Sequence, residues 1–180
     1  MVEKLKNEYD VDVEWRPFYL RPDTPPEGME LPEYIRRSQA SGADARLKEM
    51  ANLYGLNYEP VKRIYNTRLA HEATVYAFEN GKGSEFHRVV FQKVYSQGLD
   101  ISKWEVLKGA ALEVGLDAEE MQKQVLSGKY TDFVYEQVQD ASQIGVSGVP
   151  TYVINDRYAI VGAQPYETFK NALGRILTLK

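Results

Sequence analysis

The side chains able to do chemistry in this chain are few, and their types narrow the choice. There is no cysteine among the 180 residues, so the chain's own side chains cannot perform thiol–disulfide exchange, close a structural disulfide or build a cysteine–zinc site. His71 and His87 are the only imidazoles. They lie on what read as different helices, so no metal site is expected. No carboxylate pair stands out as an acid–base dyad: Glu119, Glu120 and Asp132 read as solvated faces. No catalytic residue is assigned. Asn66, Thr67 and His71 form one candidate substrate-binding cluster: His71 follows Thr67 by one helical turn, so the two can share a face, and Asn66 or Thr67 is placed to cap that helix.

The segment from residue 145 to 169 reads GVSGVPTYVINDRYAIVGAQPYETF. Gly145 and Gly148 free the backbone ahead of Pro150. A proline directly before a strand either ends a loop in the trans form or is a positional cis peptide. In the cis case Val149 would present its backbone amide and carbonyl at the strand's edge, where an extended chain can pair with them. Gly148, Val149 and Pro150 are therefore candidate substrate-binding residues.

The elements that must carry these residues follow from periodicity and punctuation. Val2, Leu5 and Tyr9 recur at helical spacing. Val11, Val13 and Trp15 alternate with Asp12 and Glu14, the period of a strand, with Trp15 on its buried face and Pro17 ending it. Five prolines crowd into 17–32 and predict an extended connector. Helices are expected at 33–40, 43–54, 67–80, 84–97, 102–114, 117–127 and 130–143. Gly55 and Gly81 sit where left-handed C-caps are wanted, and Ser84, Ser102 and Asp117 are N-cap candidates. Ser102 with Glu105, and Asp117 with Glu120, have capping-box spacing. The β-favouring runs 151–154 and 158–161 flank the turn Asn155-Asp156-Arg157 as a hairpin. Pro165 then opens a last helix with Phe169, Leu173, Ile176 and Leu177 on one face.

Bulk properties exclude several classes. The 22 basic and 26 acidic residues are interspersed, with no basic block for nucleic acid. No run of 18 apolar residues is present to span a membrane. The charged N-terminus is unlike a signal peptide, which makes the cytoplasm the default location.

The segment GVSGVPTYVIN…VGAQP resembles the cis-proline loop, closing hairpin and last helix of the DsbA family of thioredoxin-fold oxidoreductases, in particular its FrnE-like branch. The likeness continues through Val13-Glu14-Trp15-Arg16-Pro17-Phe18, Asn66-Thr67 with Ala70-His71, Gly81-Lys82 with Phe86-His87, Asp100-Ile101, and Gly115-Leu116-Asp117, and covers nearly the whole chain. It implies an α/β thioredoxin-like core (1–32 with 145–180) interrupted by a large helical insertion (33–144), with the first strand missing.

Family members begin with a strand and a Cys-Pro-x-Cys turn, and both are lacking here. In the family sheet that strand lies between the segment near 11–15 and the strand near 151–154. Three arrangements would follow: an upstream segment supplies it, a second chain supplies it as a homodimer, or the two flanking strands pair directly, antiparallel. The resemblance implies a protein disulfide oxidoreductase family member that is inactive alone as given. Its partner would be an extended peptide or protein thiol. The alternatives are a non-catalytic peptide-binding module or a protein like the glutathione-dependent 2-hydroxychromene-2-carboxylate isomerases, with glutathione near Asn66 and Thr67. No cofactor is implied.

Overall fold

The computed structural model describes residues 2–178. In chain order the elements are α1 (Val2–Glu8), β1 (Met29–Glu30), α2 (Glu33–Ala40), α3 (Ala43–Leu53), β2 (Arg63–Ile64), α4 (Arg68–Glu79), α5 (Gly83–Tyr95), α6 (Trp104–Glu113), α7 (Ala118–Leu126), α8 (Thr131–Gln143), β3 (Thr151–Ile154), β4 (Tyr158–Val161) and α9 (Tyr166–Thr178). Among the described residues the strands form two antiparallel pairs, β1 with β2 and β3 with β4. No described helix is long and apolar enough to cross a membrane. The chain divides into two compact units: Arg21–Tyr135, and the chain up to Leu20 together with that from Glu136 onward.

The helical unit is built on small residues. Ala70, Ala73 and Ala77 make one face of α4 with Tyr76, and Ala110 and Ala111 do the same on α6. Short side chains let helices approach closely, and Phe86, Leu107 and Met121 fill the space between them, fully buried. Burying each contributes roughly 2 kcal/mol. Gly83 shows the same closeness: a Cβ there would lie 2.2 Å from the Phe78 ring. α5 therefore starts on Gly83 after Lys82, without a side-chain cap from Ser84. Asp117 caps α7, its Oδ1 accepting from the Glu119 and Glu120 amides at 3.1 and 2.9 Å. The capping box expected at Ser102 does not form. Ser102 donates its hydroxyl and amide to Asp100, and Lys103 is the N-cap of α6.

The second unit is a hairpin on two helices. Asn155 and Asp156 both adopt positive φ, 51° and 53°, which short polar side chains tolerate and which suits the twist of a tight hairpin. The register pairs Thr151 with Val161 and Ile154 with Tyr158. Tyr152, Ile154 and Ile160 pack with Phe169 and Leu173 of α9 and Leu5 of α1. The Tyr152 and Phe169 rings meet edge to face at 4.7 Å. The Tyr166 hydroxyl donates to Glu8 at 2.5 Å, joining α9 to α1.

Residues 11–15 correct the sequence reading, since they form no strand. Direct antiparallel pairing with β3 is likewise absent, as among the described residues β3 pairs only with β4. Alternation marks a chain that would fit a sheet, but a strand exists only when a neighbour takes its hydrogen bonds. Arg16 and Glu14, two residues apart, make a bidentate pair at 3.0 and 3.2 Å, as alternate side chains of an extended stretch can. Trp15, expected in the core, is 45% exposed. With no ladder to hold that stretch against a sheet, its apolar side is left partly in water.

Candidate functional site

Gly145 ends α8 in the left-handed region at φ 81°. Its amide reaches Ser142 and that of Val146 reaches Ala141, which closes the helix's last carbonyls. The chain then turns into 147–150. The Thr151 hydroxyl donates to the Gly148 carbonyl at 2.7 Å, and the Gly162 amide donates to the Pro150 carbonyl at 2.8 Å. The Val149–Pro150 peptide bond is cis. Val149 is 55% exposed, and its backbone amide and carbonyl bond to no other described residue.

The bond from Gly162 to Pro150 also sets the phase of the ladder. In an antiparallel pair hydrogen-bonded and non-bonded positions alternate. With 150 opposite 162 in the bonded phase, Tyr152 turns its backbone groups toward β4, while Thr151 and Val153 turn theirs outward. That outer edge has no strand beside it among the described residues. The face of the hairpin opposite the core, carrying Val153, Ala159 and Val161, opens with Ile144 and Val146 onto a shallow, open groove. Backbone edge and apolar floor together can take an extended chain.

The other predicted residues lie in the helical unit. Asn66 Nδ2 donates to the Thr24 carbonyl at 2.6 Å, and its Oδ1 accepts from the Arg68 amide at 3.0 Å. Both polar ends of Asn66 thus pin the connector to the start of α4. Thr67 is the N-cap residue but makes no side-chain capping bond; its carbonyl accepts from the His71 amide at 3.0 Å. Burial lowers the His71 imidazole to about 4, with a smaller contribution from His87. Burial lowers His87 as well, and its ring stacks on Phe91 at 4.6 Å. Both imidazoles are therefore neutral at neutral pH. The six candidates fall into two groups, Gly148, Val149 and Pro150 in one unit and Asn66, Thr67 and His71 in the other.

Glu72 was not singled out from sequence. It is fully buried (0% exposed). One oxygen accepts from Arg68 Nη1 at 2.9 Å and the Thr131 hydroxyl at 3.1 Å, while Oε2 has no partner. The i,i+4 spacing of Arg68 and Glu72 was the available signal, but nothing in it announces burial. No group of three or more metal-ligating side chains occurs among the described residues.

Comparison with known proteins gives this geometry a context. A family model for the DSBA-like thioredoxin domain matches residues 1–174. The chain is 30% identical over 167 residues to the uncharacterized protein YwbO of Bacillus subtilis (strain 168), covering 91% of this chain and 82% of that one. Among solved structures, the probable DsbA oxidoreductase SCO1869 from Streptomyces coelicolor superposes with a TM-score of 0.82 at 26% identity, over 92% of this chain and 75% of that one. A 2-hydroxychromene-2-carboxylate isomerase superposes with a TM-score of 0.77 at 21% identity, over 98% and 86%; that likeness is one of fold.

Proposed function

Because the chain belongs to the DSBA-like thioredoxin domain family, we propose that it holds an extended polypeptide against the Gly148–Pro150 loop and the open edge of β3, as the substrate-holding part of a thiol–disulfide oxidoreductase scaffold. Exchange requires a thiolate, and these 180 residues contain none. In this reading the reacting sulfurs belong to the bound protein or to polypeptide outside these residues, and the chain by itself is a binding module.

The observation that carries the reading is the unpaired backbone of Val149 followed by β3, laddered on one side alone. Main-chain bonds to such an edge give affinity without regard to sequence, and neighbouring side-chain space gives selectivity. Likeness to a probable DsbA oxidoreductase at 26% identity supports the same assignment. The engagement of both polar groups of Asn66 within the chain weighs against that residue as a ligand donor.

Titrating the isotopically labelled chain with a short Val- and Thr-rich peptide tests the reading. Amide shifts confined to 147–151 and β3 are expected, and an unchanged spectrum would contradict it. Reading the nucleotide sequence directly upstream of Met1 separates the two sources of sulfur. An in-frame Cys-x-x-Cys turn assigns the chemistry to the same polypeptide, and a stop codon assigns it elsewhere.

A further inference from the structure

Helix α3 is tied to its own unit by little. Neither α2 nor α3 contains a buried residue. The ties are polar: on the helix itself the Tyr58 hydroxyl donates to Asp44 at 2.9 Å, from α2 Gln39 Nε2 donates to the Val61 carbonyl at 3.0 Å, and past the exit Asn57 exchanges bonds with Ser96 at 3.3 and 2.6 Å. The large apolar side chains of the helix and its exit stand in water: Leu47, Met50 at 54%, Leu53 at 81%, Tyr54 and Leu56. A helix of 11 residues draws most of its stability from packing an apolar face rather than from propensity. This face is unpacked.

The spacing says what would cover it. Ala43, Leu47, Met50 and Tyr54 follow steps of four, three and four, a single stripe with the period of a coiled-coil seam. Reversed about the point between Lys48 and Glu49, the stripe complements itself. Leu47 falls opposite Met50, and the small Ala43 falls opposite the large Tyr54. The residues flanking the seam fit the same reversal. Asp44 comes beside Ala51 and Arg46 beside Leu53, so no like charges face each other, while Lys48 and Glu49 lie on the far side. An antiparallel pair also sets the helix dipoles in opposition. A strongly charged partner has nothing to read in a helix whose two acidic and two basic residues balance.

We infer that α3 pairs antiparallel with α3 of a second copy of this chain, about a two-fold axis, with each Tyr54 ring over the partner's Ala43. The contact uses no residue of β3 or its loop, so it differs from a dimer that shares a strand.

Sedimentation velocity on the full chain tests this. The expected species has twice the 20.6 kDa chain mass. Met50→Asp changes a side chain already in water, so the circular dichroism spectrum should hold while dimer affinity falls more than about tenfold. Ala43→Leu should also weaken the dimer by filling the space that the partner's Tyr54 takes. Ala43→Leu combined with Tyr54→Ala should recover it, because large and small exchange places. A chain that stays monomeric at its highest soluble concentration overturns the inference. So does a dimer that Met50→Asp leaves intact, or a double variant no tighter than Ala43→Leu alone.

Discussion

Replacing His71 with Leu should flatten the chain's loss of stability on mild acidification. Burial lowers the His71 imidazole to about 4 in the folded chain, against about 6.5 in an unfolded one. Between those values the unfolded chain binds a proton that the folded chain refuses. Stability therefore falls as the pH drops through 6.5 toward 4 and stops falling on this account below about 4. At about 1.4 kcal/mol for each pH unit of difference, the full effect is about 3 kcal/mol, of which about 2 kcal/mol appears between pH 7 and pH 5. Urea unfolding at those two pH values, on the parent chain and on His71→Leu, measures it. Carboxylates and His87, which burial also lowers, contribute to both proteins and largely cancel in the comparison. The parent should lose about 2 kcal/mol more than the variant. An equal loss in the two, or an NMR titration placing His71 near 6.5, would refute the reasoning.

Two further substitutions probe the scaffold. Asp117→Ala removes the oxygen that caps the Glu119 and Glu120 amides and should cost about 1 kcal/mol in thermal or urea unfolding. Gly83→Ala puts a methyl group against the base of the Phe78 ring; it should destabilise by roughly 2 kcal/mol despite alanine's better helix propensity. Pairing it with Phe78→Ala, at a ring that is already partly exposed, should remove most of that increment in a double-mutant cycle.

What the sequence disclosed depended on how local each cause was. The hairpin was legible because Asn155-Asp156 declares a tight turn and the runs on either side are β-favouring, and β3 and β4 span the expected 151–154 and 158–161. The helices were legible from Gly55 and Gly81 in left-handed caps and from Asp117, and α2 spans the expected 33–40. The failures concern partners distant in sequence. Val11, Val13 and Trp15 have a strand's alternation, but alternation cannot supply a neighbouring strand. Met29–Glu30 and Arg63–Ile64 pair across more than thirty residues, the first inside the proline-rich stretch expected as a connector and the second between two expected helices. Glu72 is buried because α4 presents it to Thr131, which no local pattern encodes. In the candidate site, the loop at 148–150 was legible from its glycines and proline. That Asn66 spends its amide on the Thr24 carbonyl was not, because the two residues are brought together only by folding.

Hydrogen exchange along β3, with and without a short Val- and Thr-rich peptide, tests the central claim most directly. In the free chain the Tyr152 amide, turned toward β4, should exchange slowly, and those of Thr151 and Val153, turned outward, should exchange fast. Peptide should slow Thr151, Val153 and Val149 together and leave Tyr152 as it was. Outer amides already protected in the free chain, or indifferent to peptide at saturating concentration, would contradict the account.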